Sequence, residues 1–64
     1  MQLTLTEARE RRGLTQAALA ERAGVNKSTV LRVERGDVMP SHSTVVSLEK
    51  ALGLRPGQLK VEAA

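Results

Sequence analysis

Four glycines, at positions 13, 24, 36 and 53, punctuate this chain, and each follows a run in which apolar residues recur at three- and four-residue intervals. A glycine just past such a run ends a helix, because it accepts the left-handed backbone that closes the last turn at no steric cost. The chain is thereby divided into short helices, and the pattern predicts an all-α fold.

The residues that open each run agree. Thr4 with Glu7 three positions later is a capping-box pattern, and Leu5, Ala8 and Arg12 follow at helical spacing up to Gly13. Thr15 caps a second helix, "QAALAERA", whose Ala18, Leu19, Arg22 and Ala23 include a small apolar face; Gly24 stops it. Asn26 caps a third, "KSTVLRVER", stopped by Gly36. "DVMPS" then reads as a loop, since Pro40 has no amide hydrogen and pushes Met39 out of the α region. Ser41 or Ser43 caps a fourth helix through Val45, Leu48 and Leu52, and Pro56 opens a last turn through Leu59. The expected architecture is a compact bundle of four to five short helices forming one domain over residues 1–64.

Composition narrows the function. With 64 residues and no Phe, Tyr or Trp, the core must be thin and built from Leu, Val, Ala and two Met. There is no Cys and a single His, which leaves no metal site or disulfide to expect. No run approaches the roughly 18 apolar residues of a membrane span, and "MQLTLTEARE" lacks the basic and apolar regions of a signal peptide. A cytoplasmic protein without membrane partner or cofactor is the expectation. Enzymatic activity is unsupported: there is no nucleophile with a base, no spaced carboxylate pair, and no phosphate-cradling glycine loop.

The net charge of +3 is unevenly spread. Arg9 to Arg35 holds seven basic residues against three acidic ones, while the remainder is slightly acidic. Within that stretch only Gly24, Val25 and Asn26 separate the second and third helices, a turn short enough to fix a sharp interhelical angle. A helix-turn-helix over about residues 15–36 and a purely structural helical hairpin both satisfy this spacing. The third helix favours the former. Val30, Val33 and Glu34 fall on one side of it, while Ser28, Leu31, Arg32 and Arg35 fall on the other with Lys27 at the N-terminal edge, so the outward face carries three cations and no acid. Such a face suits a polyanion.

These residues together resemble the phage repressor and Cro-like (xenobiotic-response-element type) helix-turn-helix family, over about Leu5 to Leu54. "ARERRGLTQAALAERAGV" is similar to that family's first two helices, "STVLRVERG" to its recognition helix, and "PSHSTVVSLEKALGL" to its fourth helix and exit. The resemblance implies a sequence-specific regulator of transcription, most simply a repressor, that binds double-stranded DNA with helix 27–35 in the major groove. Carried over position by position, it places base contacts on Lys27, Ser28, Arg32 and Leu31. Backbone contacts fall on Thr15, Gln16, Asn26, Thr29, Arg35 and Arg12. Arg32 can grip guanine O6 and N7 with two hydrogen bonds, and Leu31 either touches a thymine methyl or is an ordinary exposed leucine. The resemblance also pairs Arg9 with Glu34 in a semi-buried salt bridge, which agrees with the need of a carboxylate beside Val30 and Val33 for a partner.

Departures from the family matter as well. "DVM" after Gly36 lacks the basic residues that hold phosphate in many relatives, His42 reads as a solvated residue opening helix four, and Glu49 reads as an edge residue whose carboxylate reaches water. A homodimer on a near-palindromic operator is expected, joined through a short segment at about 54–64 where Leu54, Leu59 and Val61 exceed what so small a core can hold. A second version pairs "MQLTL" with "LKVEA" as short strands between subunits. The rival function is an antitoxin that neutralises a toxin partner and autoregulates its operon; the short ends favour the plain regulator.

Overall fold

The computed structural model describes residues 2–61 and arranges them as β1 (Leu3–Thr4), α1 (Leu5–Arg11), α2 (Gln16–Ala23), α3 (Lys27–Arg35), α4 (His42–Leu52) and β2 (Leu59–Lys60). The fold is a helix-turn-helix of the all-α class, with the two-residue strands as a minor addition.

Each helix starts where a side chain can accept one of the amides left free in its first turn. Thr4 accepts from the Glu7 amide while Glu7 Oε1 accepts from the Thr4 amide, which completes the capping box of α1. These bonds stabilise the ionised carboxylate and lower the Glu7 pKa below its ordinary value of 4.5. Thr15 accepts from Ala18 N at the start of α2, and Ser41 from Thr44 N at the start of α4. Asn26 departs from expectation: it holds the capping position of α3 without a side-chain capping bond, and its carbonyl alone receives the Thr29 and Val30 amides. Gly24 closes α2 at φ 72°, and the following Val25 amide returns to the Ala20 carbonyl at 3.0 Å. The chain therefore reverses within three residues and restarts as α3.

The core is aliphatic. Leu5 and Ala8 of α1, Leu19 and Ala20 of α2, Val30 and Val33 of α3, and Leu48 and Leu52 of α4 converge, with Leu59 of β2 closing one end. Leu19, Val30 and Leu48 are completely shielded. Fully burying a side chain of this size contributes roughly 1.5–3 kcal/mol relative to exposure, so these few side chains must supply much of the driving force. The helix α2 packs on both α3 and α4, while α1 lies against α3. No helix among the described residues is long and apolar enough to cross a membrane.

The segment after α4 corrects several expectations. Pro56 opens a turn that leads into β2, not a helical turn through Leu59. β2 pairs in parallel with β1, Leu3 opposite Leu59 and Thr4 opposite Lys60, within one chain and not between subunits. Leu59 is 4% exposed and belongs to its own subunit's core; Leu54 and Val61 are half-buried against that core. The core has room for all three because β2 folds back over the open end of the bundle. Met1 and residues 62–64, which the expected terminal pairing and dimerisation segment include, lie outside the described residues.

Glu49 explains how that segment is held. Its residue is 4% exposed on the inner side of α4, and its Oε2 accepts from Gly57 N at 2.9 Å and Leu59 N at 3.3 Å. The carboxylate does not reach water as an edge residue; it serves as the acceptor for a turn whose amides have no helical partner. The sequence contained a signal for this. Val45, Leu48, Glu49 and Leu52 share one face of α4, and a carboxylate among leucines requires donors.

Candidate nucleic-acid interface

At about 100° per residue, Lys27, Leu31, Arg35, Ser28 and Arg32 occupy a continuous arc of roughly 140° on α3. All five are exposed, whereas Val30 and Val33 on the opposite side are buried and Thr29 and Glu34 are half-buried at the borders. Among the described residues α3 packs against α2 and α1, and the side it buries is that of Val30 and Val33, which leaves the arc exposed.

The inner border is anchored by an ionic network. Arg9 Nε donates to Glu34 Oε2 at 2.6 Å and its Nη2 to Oε1 at 3.3 Å, a two-pronged pair whose side chains are 15% and 7% exposed. Arg9 Nη1 also donates to the Leu14 carbonyl at 2.8 Å, so one guanidinium ties α1, the connection after it, and α3. The bond to Glu34 holds the Arg9 pKa above its ordinary value. Gln16 joins from α2, Nε2 donating to Glu34 Oε1 at 3.1 Å. Glu34 is thus the common acceptor for residues of α1 and α2, and it sets the angle at which α3 leaves the body.

The remaining residues divide by what else they touch. The side chains of Lys27, Ser28 and Arg32 have no hydrogen bond or ion pair among the described residues, and all three sit on the open arc. Asn26, just before them, likewise keeps its side-chain amide uncommitted. Thr15 is exposed at the start of α2 with its oxygen engaged by Ala18 N. Arg35 leans on Asp37 at 3.4 Å, an exposed pair that water screens heavily. Arg12, expected at the DNA backbone, donates its Nε to the Leu52 carbonyl at 2.8 Å, and its guanidinium lies over Gly53, tying the ends of α1 and α4 together. Gln16, expected at a phosphate, spends one of its two N–H groups on Glu34 and has one left. Sequence reasoning missed Glu49 and the tie between Arg12 and Leu52, both of which hold the scaffold behind the arc.

A short turn between two helices, a second helix with one side anchored and the other cationic and exposed, and a capped first helix beside it define a DNA-binding helix-turn-helix. A helix-turn-helix family model matches residues 5–59, and the chain belongs to that family, of the Cro/C1 type. It is similar to an uncharacterized HTH-type transcriptional regulator of Methanothermobacter thermautotrophicus, 40% identical over 53 residues that cover 83% of this chain and 77% of the relative.

Proposed function

We propose that this protein regulates transcription as a repressor that occludes its operator, binding duplex DNA as a two-fold homodimer in the cytoplasm. Helix α3 lies in the major groove, where Arg32 donates two hydrogen bonds to a guanine, Lys27 and Ser28 bond to neighbouring base edges, and Leu31 packs on a thymine methyl. Thr15, Gln16, Asn26, Thr29 and Arg35 flank that helix and meet the phosphate backbone, Gln16 through the N–H that Glu34 leaves unused. Arg12 is removed from this set.

One observation carries the reading: Lys27 and Arg32 stand on an exposed arc with no acid paired to them, beside Asn26 with its side chain uncommitted. A helix kept only for solubility more usually mixes charges along its exposed face. The dimer follows from size. A single module of this kind contacts few base pairs, too few to single out a site in a genome, whereas two half-sites about 34 Å apart multiply the discrimination.

Selection of bound sequences from a random duplex pool tests the proposal. The expected result is a two-fold symmetric motif, with a log–log salt slope of about −3 per subunit from three to four phosphate contacts. Recovery of no motif, or binding that does not weaken between low and moderate salt, overturns it.

A further inference from the structure

The large apolar side chains left exposed among the described residues are Leu31, Val38 and Met39, at 38%, 37% and 58%. Leu31 belongs to the base-facing arc. Val38 and Met39 belong to the loop that follows α3, and the function described so far uses neither. From them we infer that this loop is the contact through which a second copy of the chain, bound to the adjacent half-site, is recognised. The inference rests on the dimeric reading above and locates its interface.

Position comes first. The loop begins directly at the C-terminal end of α3, so when α3 lies in the groove the loop stands at the level of the DNA beside it. A surface there meets either the phosphate backbone or the neighbouring subunit. Its chemistry decides between the two. Asp37 is acidic, Arg35 is drawn to it at 3.4 Å, and the next two side chains are apolar. No uncommitted cation remains in the loop, which makes it a poor surface for phosphate and a good one for another apolar surface. The loop is also held in shape: Gly36 turns it at φ 76°, the Asp37 amide bonds to the Arg32 carbonyl at 3.0 Å, and Pro40 leads into the Ser41 cap of α4.

Dimensions agree with a second copy. The backbone measures 26 × 24 × 19 Å along its principal axes. Two such bodies centred on half-sites about 34 Å apart leave about 8–15 Å between their backbones, according to which axis follows the duplex. Opposing side chains of two copies span the lower part of that range. Val38 and Met39 together offer on the order of 200 Å² per subunit, against roughly 800 Å² per partner in a standard stable interface. The contact is therefore self-complementary, loop to loop across the two-fold axis, and too small to hold a dimer without DNA. Leu59 cannot take its place, because it is buried in its own core.

The test compares the intact chain with the double variant Val38→Thr, Met39→Gln, which keeps volume and charge while removing apolar surface. Circular dichroism establishes that both are folded. Binding is measured to duplexes recovered from the random pool, carrying either one half-site or two at spacings around one helical turn, and sedimentation is measured without DNA. The parent should sediment as a monomer at micromolar concentration and bind paired half-sites with a cooperativity factor of 5–150, the usual range for such coupling. The variant should bind a single half-site within about twofold of the parent and lose nearly all of the cooperativity. Undiminished cooperativity in the variant overturns the inference, as does a DNA-free dimer that survives both substitutions. Equal loss on single and paired sites reassigns the loop to the phosphate backbone and also overturns it. A parent without cooperativity at any spacing refutes the dimeric reading itself, and that outcome is distinct from the others.

Discussion

Replacing Glu34 with alanine strands the Arg9 guanidinium in a site where its side chain is only 15% exposed. Three donated bonds disappear together, from Arg9 Nε, Arg9 Nη2 and Gln16 Nε2. Breaking a buried ion pair by removing one partner costs about 3–5 kcal/mol, because the remaining charge stays desolvated. The lower end applies here, since Arg9 retains its bond to the Leu14 carbonyl and some contact with water. A loss of about 3 kcal/mol compares with a total stability of roughly 3–10 kcal/mol for a domain of this length. At 4–8 °C per kcal/mol for a domain of this size, the melting temperature should fall by about 12–24 °C. The assay is far-ultraviolet circular dichroism on heating without DNA, since the chain has no aromatic residue to report by fluorescence. The double variant Arg9→Met, Glu34→Leu should recover much of the loss, because it removes both charges and fills the space. A Glu34→Ala melt within two degrees of the parent refutes the reasoning, as would a double variant less stable than Glu34→Ala.

Glu49→Ala should cost about 1–3 kcal/mol, the range for buried donors left without an acceptor, and should speed hydrogen exchange at the Gly57 and Leu59 amides while leaving α3 protected; unchanged exchange at Leu59 contradicts it. Glu7 has a folded-state pKa below its ordinary 4.5, so its capping box adds stability that is complete above that pH and is lost as pH falls through the lowered value. The stability gap between the parent and Glu7→Gln should accordingly be widest near neutrality and close in acid, and a gap that widens in acid contradicts it.

The four helices were legible because each is specified by neighbours in sequence: a capping residue, a short periodic run and a glycine. Gly24 with Val25 and Asn26 gave away the sharp turn for the same reason. What the sequence hid depends on residues far apart along the chain. The terminal strands could be anticipated from the alternation in "MQLTL" and "LKVEA", but only as a pairing between subunits; that Leu3 meets Leu59 of its own chain depends on how the helices bring the two ends together. The family resemblance put Arg12 at the DNA backbone, and only the folded chain shows its guanidinium at the Leu52 carbonyl, forty residues away. Glu34 and Glu49 pose the same problem, a carboxylate on an apolar helix face. The family resemblance supplied Arg9 for the first, whereas the amides that serve the second, of Gly57 and Leu59, follow a Pro56 turn that the sequence led us to read as helical. The open arc of α3 could be drawn from spacing alone, but which of its cations are uncommitted required the structure: Arg35 lies against Asp37, and Lys27 and Arg32 do not.

The central claim, that α3 reads base edges, is tested most directly by measuring Arg32→Ala against a selected operator and its single-base variants at one fixed salt concentration. Losing a two-bond contact to guanine should cost about 1–3 kcal/mol on the parent operator and abolish the preference at one base pair in each half-site, while preferences elsewhere persist. An equal loss of affinity on every variant, with all base preferences intact, would place Arg32 on the phosphate backbone and contradict the account.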